Sequence, residues 1–253
     1  MPSDAAPILV VVREGDEYLR RGVAEFIGAF ALVFVGGGAA VDNDPLSAAF
    51  ANGLVIAVFV TAFAGISGGH FNPAVTFGFL VTKRIPAPMA AFYWVSQLAG
   101  GLFAALLLKW IFPASLNALH LGAPALNPAI DSGKGVVIEA ILTFFLVLVF
   151  FATAVDPRGA FDKIAGLAIG LTIVLDVTMG ASFTGAAMNP ARAFGPELAS
   201  GHWANFWVWI VGPLAGGALA AILYEVLYLG RVPPEPEPAT VDEVDEGATA
   251  ASA

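Results

Sequence analysis

The sequence predicts an all-α membrane protein with six transmembrane helices and two re-entrant half-helices in an inverted repeat. Hydrophobic residues fill 58% of the 253 positions and charged residues 12%, with a mean hydropathy of +0.81. A soluble domain carries about twice that charged fraction. Six apolar segments each approach or exceed the roughly 20 residues needed to cross a bilayer core. Finally, the phrase Phe71-Asn72-Pro73-Ala74-Val75-Thr76-Phe77-Gly78 returns as Met188-Asn189-Pro190-Ala191-Arg192-Ala193-Phe194-Gly195, each time closing one apolar stretch and opening another.

Residues 1–18 carry Asp4, Glu14, Asp16 and Glu17 beside Arg13. They lack the basic-then-apolar order of a secretory signal and read as a cytoplasmic tail. The spanning segments fall at about 19–41, 46–65, 86–111, 135–155, 161–180 and 204–229. Stretches 73–81 and 190–198 are apolar but too short to cross as helices, so they read as half-helices entering from opposite sides. The membrane domain thus covers 19–230, with repeats at about 19–111 and 133–230. In 231–253, Pro233, Pro234, Pro236 and Pro238 interrupt helix while Glu235, Glu237, Asp242, Glu243, Asp245 and Glu246 repel one another, which predicts a disordered cytoplasmic tail.

The repetition is an ordered series. Gly53-Leu54, Ser67-Gly68 and Asn72-Pro73-Ala74 recur at one offset as Gly170-Leu171, Thr184-Gly185 and Asn189-Pro190-Ala191. Ala24-Glu25 is echoed by Ile138-Glu139, and Leu98 to Gly101 by Leu214 to Gly217. Three spanning segments per repeat force the second half to insert upside down. Arg13, Arg20, Arg21, Lys83, Arg84, Arg158, Lys163 and Arg231 then share the side of both termini, against Lys109 and Lys134 on the other. Both termini are therefore expected in the cytoplasm of a multi-pass cell-membrane protein. Segments Gly65 to Asn72 and Gly180 to Asn189 are expected to be non-helical and to line a protein-buried or water-filled place.

Asparagine followed by proline starts a helix. The side-chain oxygen accepts an orphaned backbone N–H, and proline suits the next position. Asn72 and Asn189 each retain an amide NH2 that can donate to a passing oxygen. Each helix N-terminus also carries about half a positive charge. Two of them converging in a low-dielectric pore oppose cations while neutral hydrogen-bond acceptors pass, so the expected cargo is small, polar and uncharged. Asn127-Pro128-Ala129 is a third copy, but no apolar half-helix follows it and it has no repeat partner; it reads as loop.

These residues resemble the aquaporin, or major intrinsic protein, family over about residues 19–230. The likeness is carried by Ser67-Gly68-Gly69-His70-Phe71-Asn72-Pro73-Ala74-Val75-Thr76, by Asn189-Pro190-Ala191-Arg192 and by the glutamates opening the first and fourth spanning helices. The resemblance implies an aquaporin-like right-handed bundle, a homotetramer with one pore per subunit, and a passive channel conducting water and excluding protons and ions. It places Asn52, Val177, Ala186 and Arg192 at a selectivity filter. Asn52 and Val177 are smaller than the Phe and His common in strict water channels of the family. A wider facilitator for ammonia, urea, glycerol or hydrogen peroxide is therefore the alternative. Ala193 stands where glycerol facilitators commonly place Asp, and the run from Asp176 to Asn189 is similar to microbial and vacuolar-type branches.

Glu25 and Glu139 read either as proton-relay carboxylates or as buried acceptors for the re-entrant backbone. His70 either lines the pore's cytoplasmic half or makes a structural hydrogen bond. His120 either folds over the mouth beside Arg192 or sits in the external loop without a role. Asp176 either supports the filter or faces a subunit interface. A proton-coupled secondary transporter also suits inverted repeats, with Glu25, Glu139 or Asp176 as carriers. Nothing points to an enzyme: there is no nucleophile triad, metal-ligand cluster or phosphate-cradling loop, and no cofactor is expected. Basic residues are few, so nucleic acid is not an expected partner. There is no cysteine to form a disulfide or a thiolate site.

Overall fold

The computed structural model describes residues 14–39, 44–112, 120–158 and 164–231. The expectations for residues 1–13, for Lys163 and for the acidic tail from 232 lie outside them. The first repeat comprises α1 (Glu14–Ala39), α2 (Pro45–Ser67), α3 (Pro73–Val81) and α4 (Ala87–Ile111). The second comprises α5 (Ser132–Phe150), prolonged by a π-helical turn Phe151–Val155, then α6 (Ala165–Thr184), α7 (Pro190–Ser200) and α8 (Val208–Leu227). All but α3 and α7 are long and apolar enough to cross a membrane.

Local chemistry sets most of the boundaries. Asp44 caps α2 by accepting from the backbone N–H groups of Leu46 and Ser47, with Pro45 opening the helix. Asp131 caps α5 through Lys134 N–H at 2.9 Å. Four boundaries differ from expectation. Helix α1 begins at Glu14, inside the segment read as tail, and an Arg21–Glu17 ion pair one turn apart supports its first turns. Helices α2 and α6 run through Gly65 and Gly180, so the non-helical stretches shrink to 68–72 and 185–189. Gly68 and Gly185, at φ 89° and 79°, supply the left-handed stop that an L side chain resists. Finally, α8 starts at Val208, after a turn through Trp203–Trp207.

The helices pair symmetrically: α1 with α4, α5 with α8, and α2 with α6 across the repeat axis. Each half-helix packs on a spanning helix of the other repeat, α7 on α4 and α3 on α8. The echoed glycines make this possible. A Cβ on Gly101 would stand 2.6 Å from the Ala191 carbonyl, and one on Gly217 would stand 2.8 Å from the Ala74 carbonyl. The half-helix starts therefore rest directly on backbone.

Burial is inverted relative to a soluble protein. Val58, Leu175 and Trp110 are more than 60% exposed, while Glu25, Thr76, Gln97 and Glu139 are completely buried. Apolar side chains face lipid and the polar network fills the axis. Arg84 makes a bidentate pair with Glu225, and Arg158 pairs with Asp156 at the same end of the bundle, where Tyr224 also donates to Asp156. This is the end expected to be cytoplasmic.

Candidate functional site

The site begins with two helix caps. Asn72 Oδ1 accepts from Ala74 N–H at 2.8 Å, and Asn189 Oδ1 accepts from Ala191 and Arg192 N–H at 2.9 and 3.2 Å. One amide hydrogen of each asparagine then crosses to the other repeat: Asn72 Nδ2 donates to Met188 O, and Asn189 Nδ2 to Phe71 O, both at 2.9 Å. One of the two hydrogens of each NH2 is thus spent inside the protein, which leaves the other for donation elsewhere. Phe71 and Met188 adopt left-handed φ of 50° and 53°, unusual for such side chains, as the chain turns to present these carbonyls.

Two buried carboxyl groups hold the turns. Glu25 accepts from Ser67 Oγ, His70 N–H, Phe71 N–H and Gln97 Nε2, at 2.6 to 3.0 Å. Glu139 accepts from Thr184 Oγ1, Ala187 N–H and Met188 N–H, at 2.7 to 3.0 Å. Of the two readings offered for these glutamates, this is the acceptor arrangement. Aromatic donors close each turn from outside: Tyr93 OH reaches Ser67 O at 2.6 Å and Trp209 Nε1 reaches Thr184 O at 2.9 Å. Tyr93 was not singled out from the sequence; its signal was a place before its glycine pair that matches that of Trp209. The repeats differ at one post, where Gln97 has Pro213 as its counterpart.

Around the asparagines runs a narrow cavity of about 30 Å³, from Arg192 at one end to His70 and Phe150 at the other. A vestibule of about 260 Å³ opens on the Arg192 side. It shares four residues with the narrow cavity: Asn52, Val177, Ala186 and Arg192. A second vestibule, of about 270 Å³, opens toward Arg21 and Arg84 and shares only His70. The space is an hourglass whose two necks are formed by those five residues.

Each neck has its own support. Arg192 Nη1 donates to the Gly122 carbonyl at 2.9 Å. Asn52 Nδ2 bonds the Ala48 carbonyl at 2.8 Å, and Gly36 leaves room for its Oδ1, so its polar atoms are drawn toward the wall. His70 Nδ1 lies 3.1 Å from Thr76 Oγ1 while its ring packs among Phe79, Tyr93 and Phe150. His70 thus borders the narrow cavity and also pairs with Thr76. His120 does not border the vestibule. Its ring stacks on His202, and the residue that reaches Arg192 from that turn is Gly122.

Asn127 repeats the local cap, Oδ1 accepting Ala129 N–H at 2.9 Å, but it is tied to Ser182 and Phe183 at the end of α6 and opens only a turn. Asp176 lies buried beside Val177, lining an apolar groove between α5 and α6 with one carboxyl oxygen lacking a partner.

The family model of the major intrinsic proteins matches residues 14–224. The chain belongs to the major intrinsic protein family. It is 42% identical over 234 residues to aquaporin TIP1-2 of Zea mays, covering 87% of this chain and 91% of that protein. Over 225 residues it is 42% identical to aquaporin TIP2-1 of Arabidopsis thaliana, covering 84% and 88%. In fold it matches the crystal structure of the aquaglyceroporin from Plasmodium falciparum, with a TM-score of 0.76 at 24% identity, over 83% of this chain and 96% of that one. The two Asn-Pro-Ala half-helices lie within the matched region.

Proposed function

We propose that this major intrinsic protein is a passive channel that conducts water and excludes protons and ions. The observation that carries this reading is the reciprocal tie between Asn72 and Asn189 across the narrow cavity. It holds two positive helix ends face to face and leaves one amide hydrogen of each asparagine for the solute. Cations meet those ends and Arg192 in a low-dielectric neck, while water exchanges hydrogen bonds with the asparagines and backbone carbonyls.

Asn52, Val177, Ala186 and Arg192 act as the selectivity filter in this reading, with Arg192 the donor to solute oxygen. His70 lines the opposite neck. Glu25 and Glu139 act as supports; their oxygens already accept from several groups, which favours a channel over a proton-coupled carrier using them. Homotetramers with one pore per chain, and both termini in the cytoplasm, complete the proposal; Arg21, Arg84 and Arg158 gathered at one end support the orientation. Channels named aquaporins among the relatives support the water reading.

A second reading has a specific observation behind it. The side chains of Val177 and Ala186 carry no polar atom and that of Asn52 is turned to the wall, so the neck suits small neutral solutes beyond water: ammonia, urea, glycerol or hydrogen peroxide. Stopped-flow light scattering of proteoliposomes tests both. Fast osmotic shrinkage without proton leak supports the water channel, and solute gradients then set the filter's width. Water flux at the bare-lipid rate would sink the water reading.

A further inference from the structure

At the inner neck a line of hydrogen bonds runs from a buried carboxyl group to the conducting space. Gln97 Nε2 donates to Glu25 Oε2 at 2.8 Å and to Thr76 Oγ1 at 3.0 Å, and Thr76 Oγ1 lies 3.1 Å from His70 Nδ1. Glu25, Thr76 and Gln97 are completely buried. Both oxygens of Glu25 already accept from other donors, Oε1 from Ser67 Oγ and His70 N–H and Oε2 from Phe71 N–H. The Gln97 amide therefore turns its NH2 toward the carboxyl group, since the reverse orientation would set one acceptor against another. Gln97 Oε1 is left without a partner, the cost of that orientation.

We infer that Gln97 and Thr76 are positioning residues that fix His70 as a hydrogen-bond donor at the inner neck, with its ring hydrogen on Nε2. The reason is a count of hydrogens. Thr76 Oγ1 accepts from Gln97, and its own single hydrogen needs an acceptor in a completely buried place. Thr61, Thr143 and Thr172 give theirs to the carbonyl four residues back. Thr76 makes no such bond among the described residues, so His70 Nδ1 is the acceptor within reach. An imidazole that accepts at Nδ1 carries its hydrogen on Nε2. Nε2 has no protein partner among the described residues, and His70 lines both the narrow cavity and the inner vestibule. The donors Arg192, Asn189 and Asn72 are thereby joined by a fourth at the far neck. A molecule crossing there must bring a lone pair: water, urea and ammonia do, whereas ammonium has hydrogens and no lone pair to offer. This deepens the proposed conduction of small neutral molecules, and its flux test rests on that reading.

Solid-state NMR of the tag-free chain in lipid, labelled at histidine with 13C and 15N, reads the tautomer directly. The chain has three histidines, so His120→Gln with His202→Gln leaves His70 as the single imidazole. In that background at pH 7 the hydrogen is expected on Nε2, with a bare Nδ1 close to the Thr76 hydroxyl hydrogen. Thr76→Val should bring at least about a tenth of the molecules to the Nδ1–H form and slow water flux at least about twofold, and Thr76→Ser should restore both. Gln97→Leu serves where Thr76→Val elutes as aggregate, and should shift the tautomer in the same direction. A spectrum with the hydrogen on Nδ1, or with both nitrogens protonated, overturns the assignment. Nε2–H undiminished in the variants overturns the positioning role. An altered tautomer with parent-level water flux overturns the donor role at the neck. The spectrum does not depend on what the channel conducts, so its failure is distinct from failure of the water reading.

Discussion

Asn72 in the first repeat is linked to Glu139 in the second through a single residue, Met188. That residue gives its N–H to Glu139 Oε2 at 2.7 Å and its carbonyl to Asn72 Nδ2 at 2.9 Å. Phe71 makes the mirror-image link between Glu25 and Asn189. A carboxyl group of one repeat thus positions the asparagine of the other, and damage to either glutamate reaches both half-helices.

Removing the carboxyl group measures that coupling. Glu139→Ala leaves Ala187 N–H, Met188 N–H and the Thr184 hydroxyl without their acceptor, at a cost of about 2 to 5 kcal/mol. Thermal unfolding in detergent should show a lowered midpoint, with Glu139→Gln intermediate because it keeps one side-chain oxygen as acceptor. A midpoint equal to the parent's for Glu139→Ala would contradict the supporting role.

Arg192→Val removes the charged member of the outer neck. Uncharged solutes such as urea and glycerol should enter at least several-fold faster and proton exclusion should weaken. Proteoliposome flux with the same solutes reads this directly, and unchanged selectivity counts against the filter assignment.

Narrowing the same neck should act in the opposite sense. Asn52→Phe combined with Val177→His adds bulk where the vestibule meets the narrow cavity, so urea and glycerol flux should drop about tenfold or more while water flux falls far less. A parallel loss of both would place these side chains elsewhere in the energetics of passage.

The third Asn-Pro-Ala makes an internal control. Asn127→Ala should leave conduction at the parent level, because that cap serves a surface turn beside α6. Asn189→Ala removes a cap worth roughly 1 kcal/mol and the tie to Phe71, and should abolish fast water flux. Equal effects in stopped-flow shrinkage would show that the motif, not its setting, matters.

At the opposite end Asp156 supplies a pH dependence. Hydrogen bonds from the Arg158 side chain, its backbone N–H and Tyr224 OH hold the Asp156 carboxyl below the usual carboxylate range. A depressed folded pKa contributes stability above the unfolded value of about 4, and that contribution is lost as pH falls through the folded pKa. Asp156→Asn should therefore lower the unfolding midpoint at pH 7 and by a smaller margin below pH 4. A difference that does not vary with pH would exclude this linkage.

The half-helix starts were legible because, unlike Asn127-Pro128, each of these Asn-Pro pairs is followed by a short apolar stretch and has a partner in the other repeat. Residues 73–81 were read to both ends, and 190–198 fell two residues short of Ser200. Six spans were legible from length and apolarity. Their ends were less so: a glycine such as Gly65 looks like a break in sequence, yet inside a helix it costs only about 1 kcal/mol, and the actual stop is the left-handed Gly68. Positions shared by the necks could be counted back from the motifs. The direction of each side chain could not, since Asn52 turns to the wall only because Gly36 faces it from another helix. One reading of His120 folded it over the mouth beside Arg192; its ring instead stacks on His202, far along the chain, and Gly122 is the residue that reaches Arg192.

The bond from Asn72 to Met188 spans 116 residues. At a synthesis rate of about 5 to 20 residues per second, the first half-helix waits roughly 6 to 23 seconds before its partner carbonyl exists. Throughout that interval the leading repeat is already apolar enough to enter the membrane yet keeps an unanswered amide within it. The chain's biosynthesis is therefore a delayed closure: insertion of the early spans comes first, and the axis is sealed only when the trailing repeat arrives.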